Sequence, residues 1–416
     1  MRRLLPVLTA ALLLPAVPAS AARMSAPDGT AATPAAQPAP AKARTAAFRA
    51  VARASQAPST DPLLPDQWPL AADQSLHAPA AWARSAGEGV TIAVLDTGVD
   101  LGHPDLQGAL WTNPDEVAGN GRDDDRNGYV DDVHGADVVD GDGDPADRNG
   151  HGTHVAGIIA ARAGNGVGVS GLAGRSQLMV VRVLDARAGG DTGKVAAGIR
   201  YAIAEGAKVI NLSLSGPASS GELDEAVDEA ERAGVLIVSA AGNTGKDLGL
   251  VPSYPASLPD PNVVAVAASD SGGALARLSA FGRGVDVAAP GQEVLSTAMG
   301  GGYEWRTGTS MASPHVAATL ALLLAARPDL SADALRTAVV GTAQRTGLPV
   351  EAGSVDAAGA LSSVLGPAPA SAPATKKAKP KKKAKKKKKK AKASKKKSSK
   401  KKKARKSSRS KRRTKR

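Results

Sequence analysis

Five short runs in the middle of the chain are apolar on both alternating faces: TIAVLD (91–96), LMVVRVL (178–184), KVINLSL (208–214), VLIVSAAGN (235–243) and NVVAVAAS (262–269). A strand that buries one face alternates apolar and polar residues. One that buries both reads as a continuous β-branched run, as parallel strands covered by helices do. The segments between them supply the helices. HVAGIIAARAG (154–164), KVAAGIRYAIAEGA (194–207) and GELDEAVDEAERAG (221–234) show helical spacing and end in Gly. Strand, helix and strand in repetition predict a three-layer α/β/α domain with a mostly parallel central sheet over residues 61–365.

The ends of the chain have a different texture. The opening MRRLLPVLTAALLLPAVPASAA places two arginines before an apolar run and a small-x-small site at Ala19-Ser20-Ala21, which reads as a signal peptide over residues 1–21 and predicts a secreted or cell-surface protein. Residues 22–60 are an Ala/Pro-rich spacer or short pro-segment, too poor in bulky apolar residues to fold alone. Beyond a Pro/Ala linker at 366–375, residues 376–416 hold 28 of the chain's 54 Lys and Arg and no acid, and are expected to be disordered. Residues 61–375 carry 19 basic and 38 acidic side chains, so the net charge of +15 belongs to the tail and not to the body. No transmembrane segment is expected, and a monomer is. The absence of cysteine removes disulfides, thiolate catalysis and Cys-based metal sites.

Candidate chemistry is confined to few residues. There are six histidines. His151 and His154 open a helical segment, but no carboxylate follows in the zinc-protease sense. Asp96 ends a strand run inside DTGVD (96–100), Asn243 ends another inside SAAGN (239–243), and Ser310 lies in GTSMASPHVA just before an Ala/Leu-rich helical run. Taken singly, Ser310 is also a good helix cap, and Asp96 or Asn243 a turn residue. Open α/β sheets, however, place their active sites at the carboxyl ends of strands.

These four stretches, in the order DTGVD, HGTHVAG, SAAGN and GTSMASPH, resemble the subtilisin-like serine peptidases, the subtilase family. Ser310 lacks the GxSxG elbow of the α/β-hydrolases. The resemblance implies a serine endopeptidase with protein or peptide substrates, in which Ser310 is the nucleophile, His151 the base, Asp96 its orienting partner and Asn243 an oxyanion donor. It also implies a substrate cleft walled by Ser213, Leu214, Ser215 and Gly216 on one side and Ala240, Ala241 and Gly242 on the other, able to pair with an extended peptide. SYPA (253–256), which matches the floor of the pocket for the residue before the cut, holds no acid, so apolar or broad specificity is expected. Residues 22–60 do not resemble the folded pro-domain of many secreted relatives.

Carboxylates crowd DDDRNGYVDD (123–132) and DVVDGDGDPAD (137–147), and hard oxygen ligands between glycines suit calcium. The first begins like an EF-hand loop at Asp123, Asp125, Asn127 and Gly128, with Asp131 as a further candidate, but its twelfth position is His134. By resemblance Asp137, Asp140 and Asp142 match a thermitase-like calcium site, and Asp61, Asp105 and Asn165 match the family's strong structural one. GVGVSG (166–171) satisfies GxGxxG but opens no helix, which excludes a dinucleotide site. The basic tail predicts nonspecific polyanion binding, to a cell-surface polymer or extracellular nucleic acid, without base readout. The alternative function is a catalytically inert polyanion-binding protein.

Overall fold

The computed structural model describes residues 60–367. The expected signal peptide, the spacer to residue 59, most of the linker and the basic tail lie outside the described residues.

Strands β1 (Thr91–Asp96), β2 (Gly135–Asp137), β3 (Gln177–Arg182), β4 (Val209–Leu212), β5 (Leu236–Ala240), β6 (Val263–Ser269), β7 (Val287–Pro290) and β10 (Gly353–Ser354) form one sheet. Its order is β10-β7-β6-β5-β4-β1-β3-β2, and every neighbouring pair is parallel. A separate antiparallel hairpin joins β8 (Val294–Ala298) to β9 (Gly302–Arg306). The helices are α1 (Ala78–Trp82), α2 (His151–Ala160), α3 (Thr192–Ala204), α4 (Gly221–Arg232), α5 (Thr309–Ala326), α6 (Ala332–Gly341) and α7 (Ala357–Leu365).

The two-sided burial expected of the strands is met residue by residue. Ile92 and Val94 of β1 and Leu178 and Val180 of β3 face one core, with Ile158 and Ile159 of α2 and Leu320 and Leu323 of α5. Ala93 and Leu95, Met179 and Val181 face the other, with Ile199 of α3 and Leu223 and Val227 of α4. Successive strand residues point to opposite faces, so a run apolar at every position must be covered twice. Helices begin where capping residues stand: Asp191, Ser220, Ser331 and Asp356 each accept a backbone N–H from the first turn of α3, α4, α6 and α7. The largely apolar α5 is long enough by composition to cross a membrane, yet 83% of it is buried inside the protein, which accounts for its low polarity on every side.

Three differences from the sequence reading bear on function. The runs at 178–184, 208–214 and 235–243 extend past the ends of β3, β4 and β5, because their last residues leave the sheet to form loops at its carboxyl edge. Helix α2 starts at His151, before the periodic segment, and ends at Ala160, before its glycine. The short strands β2, β7 and β10 have too few residues for a periodic signal, and the β8–β9 hairpin pairs a buried strand with a half-exposed one.

Candidate active site

The chain leaves β1 toward β3 on one side and later returns to β4 on the other, so a crevice opens at the carboxyl ends of β1, β4 and β5. Three of the four chemistry-bearing stretches reach it through element ends. Asp96 is the last residue of β1, His151 the first of α2, and Ser310 lies in the first turn of α5. Asn243 follows β5 by three residues.

The approach of α2 to β1 depends on a missing side chain. A Cβ on Gly152 would sit 2.1 Å from the Gly98 carbonyl oxygen and 3.1 Å from Asp96 Cβ, so only glycine lets the helix start this close to the strand. Gly98, with φ +102, turns the chain there, where a Cβ would meet the Pro145 carbonyl at 2.5 Å. Asp147 then ties the two together. It accepts from Thr97 Oγ1 at 2.8 Å, from the Gly150 and Asn149 amides, each at 2.9 Å, and from Thr153 N at 3.0 Å, while the Gly152 amide donates to Thr97 Oγ1 at 3.0 Å.

His151 Nδ1 lies 2.7 Å from Asp96 Oδ1, and the Thr97 amide donates to that same oxygen at 2.7 Å. Asp96 is fully buried. Burial disfavours the charged imidazole, but the Asp96 charge and hydrogen bond outweigh it and hold the His151 pKa above its ordinary value. With Nδ1 engaged, Nε2 of His151 is the ring atom free to exchange a proton. His154 is different: buried, with Nε2 on the Glu304 carbonyl at 3.1 Å, its pKa falls to about 3, and it stays neutral.

The Ser310 hydroxyl donates to the Ser213 carbonyl at 2.9 Å and is not hydrogen-bonded to His151 in this structure. Ser213 returns a bond from its own hydroxyl to the Ser310 carbonyl at 2.9 Å, and Asn211 Nδ2 donates to Ser213 Oγ at 2.9 Å, so the strand β4 fixes the start of α5. Asn243 turns its carboxamide oxygen to Thr309, accepting from the backbone amide at 2.9 Å and the hydroxyl at 3.1 Å. That leaves the Asn243 NH₂ without a partner among the described residues, beside the first-turn amides of a helix, which have no intrahelical acceptor.

A cleft of about 380 Å³ is lined by Ser213, Leu214, Ser215 and Gly216, together with His151 and Tyr254. Gly216 and Tyr254 exchange backbone hydrogen bonds at 2.9 and 2.8 Å, which closes one end of that wall. Of the expected second wall, Gly242 faces Ser215, 3.3 Å from its would-be Cβ, while Ala240 and Ala241 are buried beside it and the Ala241 amide is taken by Val266. Sequence reading missed Thr97, Asp147 and Thr309, although each stands within four residues of a residue it singled out.

The expected metal ligands fall into three groups. Asp61 and Asp105 are both buried; Asp61 accepts from the Gly164 and Gly166 amides at 2.8 and 3.0 Å, and Asp105 from Asn165 Nδ2 and the Val169 amide, both at 2.8 Å. Burial, with a contribution from the Asp61 charge, raises the Asp105 pKa. Two buried carboxylates with an amide oxygen donor beside them fit a hard divalent cation. In the second group Asp123 and Asp125 converge with Glu116, their carboxylate oxygens within 4.8 Å of one another, and Asn127 bonds Asp125 and Asp132. Glu116 Oε2 is buried and unpartnered, and Glu205 nearby is pushed up to about 7 by burial and then by Asp125. Asp131 does not join them: it accepts from the Asn120 and Gly121 amides at 3.1 and 2.9 Å and braces that turn instead. In the third group Asp137 and Asp140 are bound to the Arg182 guanidinium, and Asp140 also to Arg148, while Asp142 stays on the exposed loop and accepts from the Asp144 amide at 3.0 Å. Arginine already supplies the positive charge that calcium was expected to bring there.

Comparison with known proteins agrees with this fold. The subtilase family model matches residues 87–390. Thermitase of Thermoactinomyces vulgaris is 40% identical over 272 residues, covering 65% of this chain and 87% of thermitase. Subtilisin Savinase of Lederbergia lenta is 40% identical over 273 residues, covering 65% of this chain and 90% of its own. Among solved structures, a protease from Pseudoalteromonas arctica superposes with a TM-score of 0.64 at 30% identity, over 74% of this chain and 99% of that one.

Proposed function

This chain belongs to the subtilase family and is a serine-type endopeptidase, and we propose that Ser310, His151, Asp96 and Asn243 carry its chemistry. The observation that supports this most is the buried Asp96 carboxylate 2.7 Å from His151 Nδ1, which fixes the tautomer whose Nε2 accepts a proton. Ser310 turns from the Ser213 carbonyl toward Nε2 and attacks the scissile carbonyl, and its proton passes to His151. The imidazolium so formed is stabilised by Asp96 and returns the proton to the leaving amine; a water, activated in the same way, then releases the acyl group. The developing oxyanion takes hydrogen bonds from Asn243 Nδ2 and the Ser310 amide, aided by the positive end of α5.

The cleft beside Ser213, Leu214, Ser215 and Gly216 receives the residues before the cut. Its lining is mainly apolar, with Leu184, Val195 and Leu223, and its one acid, Asp191, is engaged as the cap of α3. Apolar or broad preference follows. Calcium is assigned a structural role at Asp61, Asp105 and Asn165 and at Glu116, Asp123 and Asp125, where it would neutralise clustered carboxylates. The N-terminal 21 residues direct secretion, and residues 376–416 bind polyanions; retention on heparin that falls steeply with salt and vanishes on removing 376–416 tests the latter.

A fluorophosphonate probe tests the central reading. It labels the wild-type protein and not Ser310→Ala. Labelling that persists in Ser310→Ala, or none in an active wild-type preparation, overturns the assignment.

A further inference from the structure

The cleft that holds the acyl side does not include Arg306, the last residue of β9 and four positions before Ser310. This arginine lies instead against Gly150, the residue preceding His151: its Nη2 is 3.2 Å from the place a Cβ on Gly150 would occupy, and Met299 Cβ is 3.6 Å from it. The leaving amine departs where His151 hands back its proton, and Gly150, Met299 and Arg306 adjoin His151 outside the acyl cleft. The positive charge of Arg306 reaches the imidazole and opposes protonation of His151.

A guanidinium has two edges with which to bind carboxylates. Arg306 spends one of them on a single oxygen: Nε and Nη2 each lie 2.7 Å from Glu304 Oε1. Glu304 and Arg306 are two apart on β9 and share one face of it, so this pair fixes the arginine plane. The Nη1 end has no acceptor among the described residues, and the side chain is 28% exposed.

We propose that Arg306 is a specificity residue on the leaving-group side of the scissile bond, binding the carboxylate of an Asp or Glu in the first or second position after the cut. The proposal rests on the reading of His151 and Ser310 given above. It adds a charge preference where the acyl side has none.

Quenched peptides that share one sequence before the cut, and carry Asp, Glu, Ala or Lys in the first two positions after it, measure the preference as a ratio of kcat/KM values. The acidic peptides should exceed the lysine peptides by about tenfold at low salt, as one partly exposed charge-assisted contact supplies. The ratio should shrink at about 0.5 M salt, where screening acts within a few ångströms. It should collapse in Arg306→Gln and reverse in Arg306→Glu. Equal rates for acidic and lysine peptides, a preference for apolar residues that ignores both, or a ratio unmoved in Arg306→Gln overturns the proposal. If Arg306→Gln does not fold, the wild-type ratio and its salt dependence decide. Fluorophosphonate labelling of the same samples keeps the two readings apart: a protein that labels at Ser310 without charge preference refutes the role of Arg306 alone.

Discussion

Asn243 commits its carboxamide oxygen to Thr309 and so presents its NH₂, the orientation an oxyanion donor needs. Asn243→Ala should lower kcat by about 10²–10³, the size known for loss of such a donor in a subtilisin, with a fall of about a few degrees in melting temperature, from the two hydrogen bonds lost at the buried Thr309. Thr309→Val keeps the backbone bond to Asn243 and loses both bonds of its hydroxyl, the one donated to Asn243 and the one accepted from the Gly242 amide at 3.1 Å, and should cost at least about tenfold in kcat. The His151 imidazole works as a base only when neutral. Since Asp96 holds its pKa above the ordinary 6.5, the acid limb of kcat/KM should fall above pH 6.5. Asp96→Asn removes the raising cause, so the limb should move to lower pH while kcat drops by about 10⁴ through loss of the tautomer. A limb that stays in place would dissociate Asp96 from the titration. The four central residues were legible in the sequence because each sits in a short motif. Thr309 and Asp147 were not, because their work is done through hydrogen bonds whose partners, Asn243 and Thr97, are 66 and 50 positions away.

At the scale of elements, strand identity and layering were legible wherever burial on both faces forces a continuous apolar run, as in β1, β3 and β6. The hairpin β8–β9 was not, because one of its strands is half exposed and its residues belong to no single periodic pattern. Its consequence is large, since it carries both Arg306 and the Glu304 carbonyl that holds His154. The acidic stretch after β2 shows the same limit: carboxylate spacing suggested calcium, and only the register of β2 on β3 reveals that Asp137 stands directly opposite Arg182. Both side chains are buried. Removing one partner of such a pair leaves an uncompensated charge in the interior, so Arg182→Met should destabilise by about 3–5 kcal/mol, and the double variant Arg182→Met, Asp137→Leu should recover much of that. Denaturant unfolding measures both. Full tolerance of Arg182→Met in the presence of calcium, and not in its absence, would instead return Asp137 to the role of a metal ligand.

Over the whole molecule, an acidic body joined to a basic tail sets two different dependences on solution conditions. Residues 61–375 carry twice as many acids as bases, and many of the acids lie within 105–147. Clustered like charges oppose the compact state unless a cation joins them. At Asp105 the opposition has a sign that can be followed with pH. The folded-state pKa of Asp105 is raised, chiefly by burial. Without metal, its contribution to stability is therefore present below the ordinary carboxylate range and is lost as pH rises through the raised value. Calcium reverses this by favouring the ionised Asp105 carboxylate. Chelation should lower the melting temperature, and more so at pH 8 than at pH 5. Restoring calcium to about a hundred times its dissociation constant should return about 2.7 kcal/mol per occupied site. Glu116→Gln should remove the share due to the Asp123 and Asp125 group, and Asp61→Asn the share due to the Asp105 group, with the double variant indifferent to calcium. Removal of residues 376–416 should leave these shifts intact while abolishing salt-dependent retention on heparin. A wild-type melting temperature that ignores both chelator and calcium at pH 8 would assign the two carboxylate clusters to hydrogen bonding alone.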